Sequence, residues 1–140
     1  MTPAFADIEV GYELPAQSFP ITRADLVRYC GASGDFNVIH WNERVATSVG
    51  LPNVIAHGMF TMAEAVRVVT DWLGDPGALL DYGCRFTRPV VVPDDDNGAM
   101  LTVSAKVTEK RDDNTVVITI AASCDDSTVL GKAQAIVRLP

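Results

Sequence analysis

The chain has 140 residues, of which 48% are hydrophobic and 21% are charged, and its formal net charge is −7 at pH 7. A chain of this length and composition can bury the core of one domain without disulfides or metals. The acidic balance argues against a nucleic-acid partner, which needs a basic face, and against an anionic membrane surface. We find no linker, repeat or low-complexity tract, so residues 1–140 are predicted to form one domain.

Other sequence features favour a cytoplasmic location. The first residues lack the basic start and apolar stretch of a signal peptide, and no window has the ~18 apolar residues of a membrane span. Cys30, Cys84 and Cys124 have no metal-type spacing, which favours buried thiols in a reducing compartment. A nucleophilic role for Cys30, which lies near Asp35 in the chain, is the alternative.

Residues 1–75 contain helical signals. Thr22 and Asp25 match a capping box, and Gly31 and Gly34 predict the end of that first helix. A second, short helix is expected between Asn42 and Gly50.

A third and longer helix is predicted to begin at "HGMF" and to end at Gly74 and Pro76. Its polar residues recur every three or four positions in one narrow stripe, formed by Thr61, Glu64, Arg67 and Asp71. The rest of its surface is apolar, which predicts a buried helix.

Residues 79–139 predict strands separated by short polar turns. Leu101, Val103, Ala105 and Val107 alternate with polar residues, as in a strand with one buried face. Short connections predict antiparallel pairing. A long buried helix followed by such a sheet predicts an α+β fold, most economically with the sheet wrapped around the helix.

The stretch "SGDFNVIH" is the first candidate site. Asp35 and His40 are five residues apart, a spacing that brings them together only in a loop, where an acid and an imidazole can share a water or a proton. The alternative is that Asp35 and Asn37 cap turns while His40 packs against Trp41.

His57 and Gly58 open the long helix and form the second candidate site. Unpaired N–H groups and the positive end of the helix dipole make this helix start suitable for an oxyanion, and glycine allows close approach. The alternative is that glycine only serves the turn. An acid/base pair together with an oxyanion donor is what enolate chemistry on a thioester requires.

The segment "YCGASGDFNVIHWNERVA" resembles the hydratase-2 signature of the MaoC-like dehydratases, G-D-x-N-P-[LIV]-H followed by a small residue. "AHGM" at residues 56–59 also matches, whereas Val38 replaces the proline of the signature. The matching positions in the signature are Gly34, Asp35, Asn37, Ile39, His40 and Ala46.

The resemblance implies a hot-dog fold, in which an antiparallel sheet wraps a long central helix, and a dimer with the two sheets joined edge to edge. It implies (3R)-hydroxyacyl-thioester dehydratase or trans-2-enoyl-thioester hydratase activity, with Asp35 and His40 catalytic. The backbone N–H of Gly58 would bind the thioester oxygen, Asn37 and Gly34 would support the loop, and His57 would be structural. No metal or other cofactor is expected.

Within the family, "GLPNVIAHGMFTM" and "VTDWLGDPGALLDYGCRFTRPVVVP" resemble the catalytic subunits of the two-subunit mycobacterial (3R)-hydroxyacyl-acyl carrier protein dehydratases of fatty-acid elongation, of the mycolic-acid type. This favours a heterodimer with a related hot-dog subunit. A homodimeric (R)-specific enoyl-CoA hydratase and a non-catalytic acyl-thioester-binding subunit are the alternatives, and a thioesterase using Glu64 is a further one.

Either acyl carrier, acyl carrier protein or coenzyme A, carries negative charge and would favour a basic rim around the site. The candidates for that rim are Arg67, Arg85 and Arg88, with solvated surface charge as the alternative. The sequence leaves the carrier, the acyl chain length and the direction of flux open.

Overall fold

The computed structural model describes residues 1–140. Three α-helices and six strands make up the fold, together with single 3-10 turns at Phe5–Asp7, Val38–His40 and Pro76–Ala78. The helices are α1 (Arg23–Ser33), α2 (Glu43–Ser48) and α3 (Gly58–Leu73). The strands are β1 (Glu13–Ile21), β2 (Leu79–Phe86), β3 (Ala99–Lys110), β4 (Thr115–Cys124), β5 (Ser127–Thr128) and β6 (Leu130–Arg138).

All strand pairings are antiparallel, as predicted, and the sheet order is β1-β3-β4-β6-β2, with the short β5 paired to β4. Helix α3 packs against all five long strands. The α+β fold with a sheet around one long helix is therefore confirmed. None of the helices combines the length and apolar character that crossing a membrane demands.

Strand β3 has the two faces that its alternation predicts. The side chains of Leu101, Val103, Ala105 and Val107 are buried, while the intervening polar residues are exposed. The capping box that begins α1 is also confirmed, because Thr22 accepts from the backbone of Asp25 and Asp25 accepts from the backbone of Thr22. Gly34 ends this helix, whereas Gly31 lies inside it.

Helix α3 is buried on one face rather than all round, so that part of the prediction is wrong. Thr61, which was placed on the polar stripe, is only 3% exposed, whereas the apolar Met59 is 58% exposed. The sheet of a single chain covers one side of the helix. The buried side of α3 is formed by Thr61, Ala65, Val68, Val69 and Leu73.

Strand β1 was missed, because its sequence "ELPAQSFPI" contains two prolines and does not alternate. A proline has no N–H to give to a ladder, but β1 is an edge strand with a register shift between Leu14 and Gln17, where proline is tolerated. The apolar stretch "RPVVV", residues 88–92, follows β2 but does not extend it. It forms only one isolated bridge, between Ile55 and Val91.

We expect Thr22→Ala to lower the free energy of unfolding by about 1 kcal/mol, because it removes one half of the capping box of α1. Urea unfolding followed by circular dichroism measures this change. The matched control is Thr47→Ala, whose hydroxyl bonds only carbonyls of its own short helix. Equal losses in the two variants would contradict a stabilising role for the cap.

Candidate active site

The first part of the site is the loop that follows α1. Gly34 caps the helix in the left-handed conformation, with φ 76° and ψ 4°, where residues with a side chain are strained. No atom lies near the position that a Cβ would take there, so backbone conformation rather than space favours glycine. The turn leads the chain directly into Asp35.

Asp35 is held by its neighbours. Its N–H donates to Ser33 Oγ at 3.1 Å, and its Oδ1 accepts from the N–H of Asn37 at 3.1 Å. Asn37 in turn accepts from the N–H of Ile39 at 3.3 Å and caps the turn that carries His40. Both residues do cap turns, yet the Asp35 side chain still lies beside His40, so capping and convergence occur together.

His40 is buried and its ring has a defined orientation. Nδ1 lies 2.7 Å from the carbonyl oxygen of Ile55, and since a carbonyl only accepts, Nδ1 carries the proton. Nε2 is then left with a free lone pair. Burial lowers the pKa of His40 below its ordinary value, and the hydrogen bond to Ile55 acts in the opposite direction.

His40 does not pack against Trp41 as the alternative required. Its ring stacks on that of His57, with centroids 3.7 Å apart, while the indole N–H of Trp41 donates to the carbonyl of Phe36. Asp35, His40 and His57 each place one ligand-type atom within 4.8 Å of the others. These three residues form the one cluster in the chain that has metal-type donors.

A cavity of about 270 Å³ opens beside His40. Gly58 begins α3 at its wall, and as the first residue of a helix its N–H has no partner within the helix. A Cβ on Gly58 would come within 2.9 Å of the Phe86 ring, so any side chain here would have to displace that ring. The full lining is His40, Ile55, Ala56, Gly58, Thr61, Phe86, Thr87, Arg88, Pro89, Val90, Val129 and Leu130.

His57 contacts both Asp35 and His40, which its sequence position at a helix start did not suggest. It precedes α3 but makes no side-chain cap, and it is 2% exposed. Its Nε2 lies 3.1 Å from the carbonyl oxygen of Asp35 and 3.6 Å from Cys30 Sγ. No sequence signal distinguished this histidine from a structural one, because its partners are 22 and 27 residues away in the chain.

The remaining candidates lie apart from the pair or are chemically unsuited. Glu64 forms an ion pair with Arg67 at 2.9 Å, and neither lines the cavity. Arg85 is exposed, whereas Arg88 lines the cavity and has no ion-pair partner. Burial, followed by the charge of Asp35, raises the pKa of the Cys30 thiol, which disfavours a nucleophilic thiolate.

Comparison with known proteins places these residues in a family. The family model described as MaoC like domain matches residues 7–123. The chain is 40% identical over 79 residues to 3-hydroxyacyl-thioester dehydratase X of Mycobacterium tuberculosis, which covers 56% of this chain and 27% of that protein. It is 31% identical to the (R)-specific enoyl-CoA hydratase of Rhodospirillum rubrum, covering 91% of this chain and 83% of that one.

A solved structure described as a MaoC-like dehydratase superposes with a TM-score of 0.96 at 38% identity, covering 99% of this chain and 43% of that chain. The chain thus spans less than half the length of two of these three relatives. The hot-dog fold expected from the resemblance is confirmed by this superposition. The family model covers the Asp35–His40 loop, Gly58 and four of the five long strands. The chain belongs to the MaoC-like domain family.

Proposed function

We propose that the chain catalyses the reversible syn hydration of a trans-2-enoyl thioester to the (3R)-hydroxyacyl thioester, working as a dehydratase in a fatty-acid elongation cycle. The observation that carries the proposal is that His40, whose Nε2 is free, lines a cavity that includes the start of α3. A carboxylate oxygen of Asp35, which is exposed and outside that lining, lies within 4.8 Å of a ring nitrogen of His40. The names of the relatives, which are dehydratases and hydratases, support the same reaction class.

In the hydration direction, Asp35 and His40 hold a water molecule at C3 of the enoyl group. The water oxygen bonds to C3 while its proton passes to the pair, and the pair delivers a proton to C2 on the same face. Electrons of the C2–C3 double bond move toward the thioester carbonyl. The N–H of Gly58 and the positive end of α3 stabilise the charge that develops on that oxygen.

The rival functions fit the geometry less well. A thioesterase using Glu64 would need that carboxylate free to activate water, but it is held in an ion pair with Arg67 at 2.9 Å and belongs neither to the cluster around His40 nor to the cavity lining. A non-catalytic binding subunit would have no use for an acid and a base with converging side chains. Analysis of products separates the classes, because a thioesterase releases free thiol whereas a hydratase removes enoyl absorbance without releasing it.

Asp35→Asn and His40→Ala are each expected to lower kcat for hydration of crotonyl-CoA at least about 100-fold, since each removes a group that transfers protons. The assay follows the loss of enoyl absorbance, with dodecenoyl-CoA as the long-chain substrate. The matched control Asp81→Asn removes an exposed carboxylate of β2 away from the cavity and is expected to keep the wild-type rate.

Full activity in either Asp35→Asn or His40→Ala would contradict the assignment of these two residues as the acid/base pair.

The expectation that no metal takes part is checked in the same assay, because incubation with EDTA should then leave the rate unchanged. A rate lost with EDTA and restored by a divalent ion would contradict it and point to the cluster of Asp35, His40 and His57.

Activity should persist into mildly acidic solution. Burial lowers the pKa of His40 below its ordinary 6.5, so the neutral ring that accepts a proton in hydration remains available as the pH falls. We expect kcat/KM to fall only below a midpoint that lies under 6.5, as measured from the pH–rate profile. A midpoint at or above 6.5 would exclude the buried, neutral His40 as the group being titrated.

The proposal includes a cytoplasmic location, supported by three free cysteines, and a partner subunit. The preferred partner is a related hot-dog subunit, and a homodimer is the alternative. The relative solved as one longer chain, of which this chain covers 43%, supports an assembly larger than a single copy. Native mass spectrometry of the purified chain, alone and with a related subunit, distinguishes the two forms.

The carrier is proposed to be coenzyme A or acyl carrier protein, whose negative charge suits a basic residue at the cavity. Arg88→Glu is expected to raise KM at least about threefold at low salt, with a smaller effect at high salt because salt screens charge. Arg138→Glu, on an exposed position outside the cavity, is the charge-matched control. Equal KM changes in both variants would remove Arg88 as a docking residue.

A further inference from the structure

We propose that His57 is a positioning residue that holds both Asp35 and His40 in register with the start of α3. One edge of its ring bonds the backbone carbonyl of Asp35, and one face of the ring supports the imidazole of His40. The inference rests on the proposed hydration chemistry and assigns a role to a side chain that this chemistry does not otherwise use.

The contact with Asp35 determines which ring nitrogen of neutral His57 carries the proton. A carbonyl oxygen only accepts hydrogen bonds, so Nε2 of His57 carries the proton and donates it across 3.1 Å. In the neutral ring, Nδ1 is then a lone pair, and it is buried without any hydrogen-bond partner. A buried acceptor with no donor is unfavourable, so other contacts of this ring must account for a histidine here.

Helix capping does not account for it. His57 occupies the N-cap position of α3, where serine, threonine, aspartate and asparagine are favoured because they bond the first free N–H groups. His57 makes no such bond. Its ring instead turns away from the helix and toward the loop that carries the proposed acid and base.

The stacked face of His57 completes the support of His40. The two rings are 3.7 Å apart between centroids and tilted by only 22°. His40 is thus held at one edge by the carbonyl of Ile55 and on one face by His57, which leaves Nε2 free. The Tyr29 ring packs against the His57 ring in an edge-to-face arrangement, with centroids 4.7 Å apart. The supporting ring is thus itself packed in place.

The bond to Asp35 connects two distant parts of the chain. Asp35 makes its other hydrogen bonds with Ser33 and Asn37, both two residues away, whereas His57 is 22 residues away. His57 is also the direct neighbour of Gly58, the proposed oxyanion donor. One side chain therefore sets the distance between the acid/base pair and that donor, and an error of about 1 Å there can reduce the rate about 100-fold.

Two substitutions separate the donor of His57 from its ring. His57→Gln keeps an N–H near the place of Nε2, whereas His57→Phe keeps a stacking ring but has no donor. We expect His57→Phe to lower kcat about 10- to 100-fold with little change in KM, because the loop loses its tether while the cavity remains. His57→Gln should recover most of that loss. Cys30→Ala, which removes only the neighbouring thiol, is the control and should keep kcat.

Hydrogen exchange of the backbone N–H groups of Asp35 and Asn37 gives a second readout that needs no activity. Exchange should accelerate in His57→Phe and stay near wild type in His57→Gln. Should the wild type prove inactive as a hydratase while this exchange pattern holds, the proposed function fails and the tether stands. Unchanged exchange in His57→Phe, or an unchanged kcat in a folded and active enzyme, overturns the positioning role.

If both substitutions prevent folding, the wild-type protein still decides the matter. Long-range ¹H–¹⁵N NMR spectra distinguish the two neutral forms of each histidine ring. The proposal requires the proton on Nε2 of His57 and on Nδ1 of His40. A proton on Nδ1 of neutral His57 would mean that the bond to Asp35 does not exist, and the inference would be wrong.

Discussion

Two backbone carbonyls determine what the histidines of this protein can do. The carbonyls of Asp35 and Ile55 can only accept, so each histidine is protonated on the nitrogen that faces one of them. For His40 this is Nδ1, which leaves Nε2 as a lone pair next to the cavity. Without the bond to Ile55 the proton of the neutral ring could move between the two nitrogens, and Nε2 would carry the lone pair only part of the time.

The fold places these carbonyls where the proposed chemistry needs them. Ile55 lies in the segment that leads into α3, and it forms an isolated β-bridge with Val91. The bridge and the helix start together fix the position of the Ile55 carbonyl. The same segment delivers His57 and Gly58 to the cavity. The body of α3 packs into the core through Ala65, Val68 and Val69, so burial of the helix anchors the end at which charge would develop in the proposed reaction.

Local patterns predicted the parts of the fold that depend on near neighbours. The capping box of Thr22 and Asp25, the alternation in β3 and the loop that brings Asp35 to His40 are all set within a few residues. Strand β1, which contains two prolines, could not be predicted from the sequence. Its prolines are tolerated because β1 lies at the edge of the sheet, and only the strand order shows that position. Tertiary context, rather than local propensity, therefore determines that this segment forms a strand.

The same distinction applies within the site. Gly58 was singled out for a free N–H at a helix start, but glycine is also favoured there by Phe86, 28 residues later, whose ring a Cβ would have to displace. The burial of Thr61 could not be read from a helical period either, because the sheet covers only one side of α3. Contacts between remote residues carry no signature in a single sequence.

Burial of His40 suits the proposed reaction in both directions. A lowered pKa keeps the ring neutral in the pH range where it must accept a proton from water, although it also makes the ring a weaker base. The imidazolium that results is a correspondingly stronger acid, which favours passing the proton on to C2. Dehydration retraces these steps, with the neutral ring taking the proton from C2 and the imidazolium protonating the departing hydroxyl. A single buried ring, held in one orientation by Ile55 and His57, can therefore act beside Asp35 in both directions of the proposed reaction.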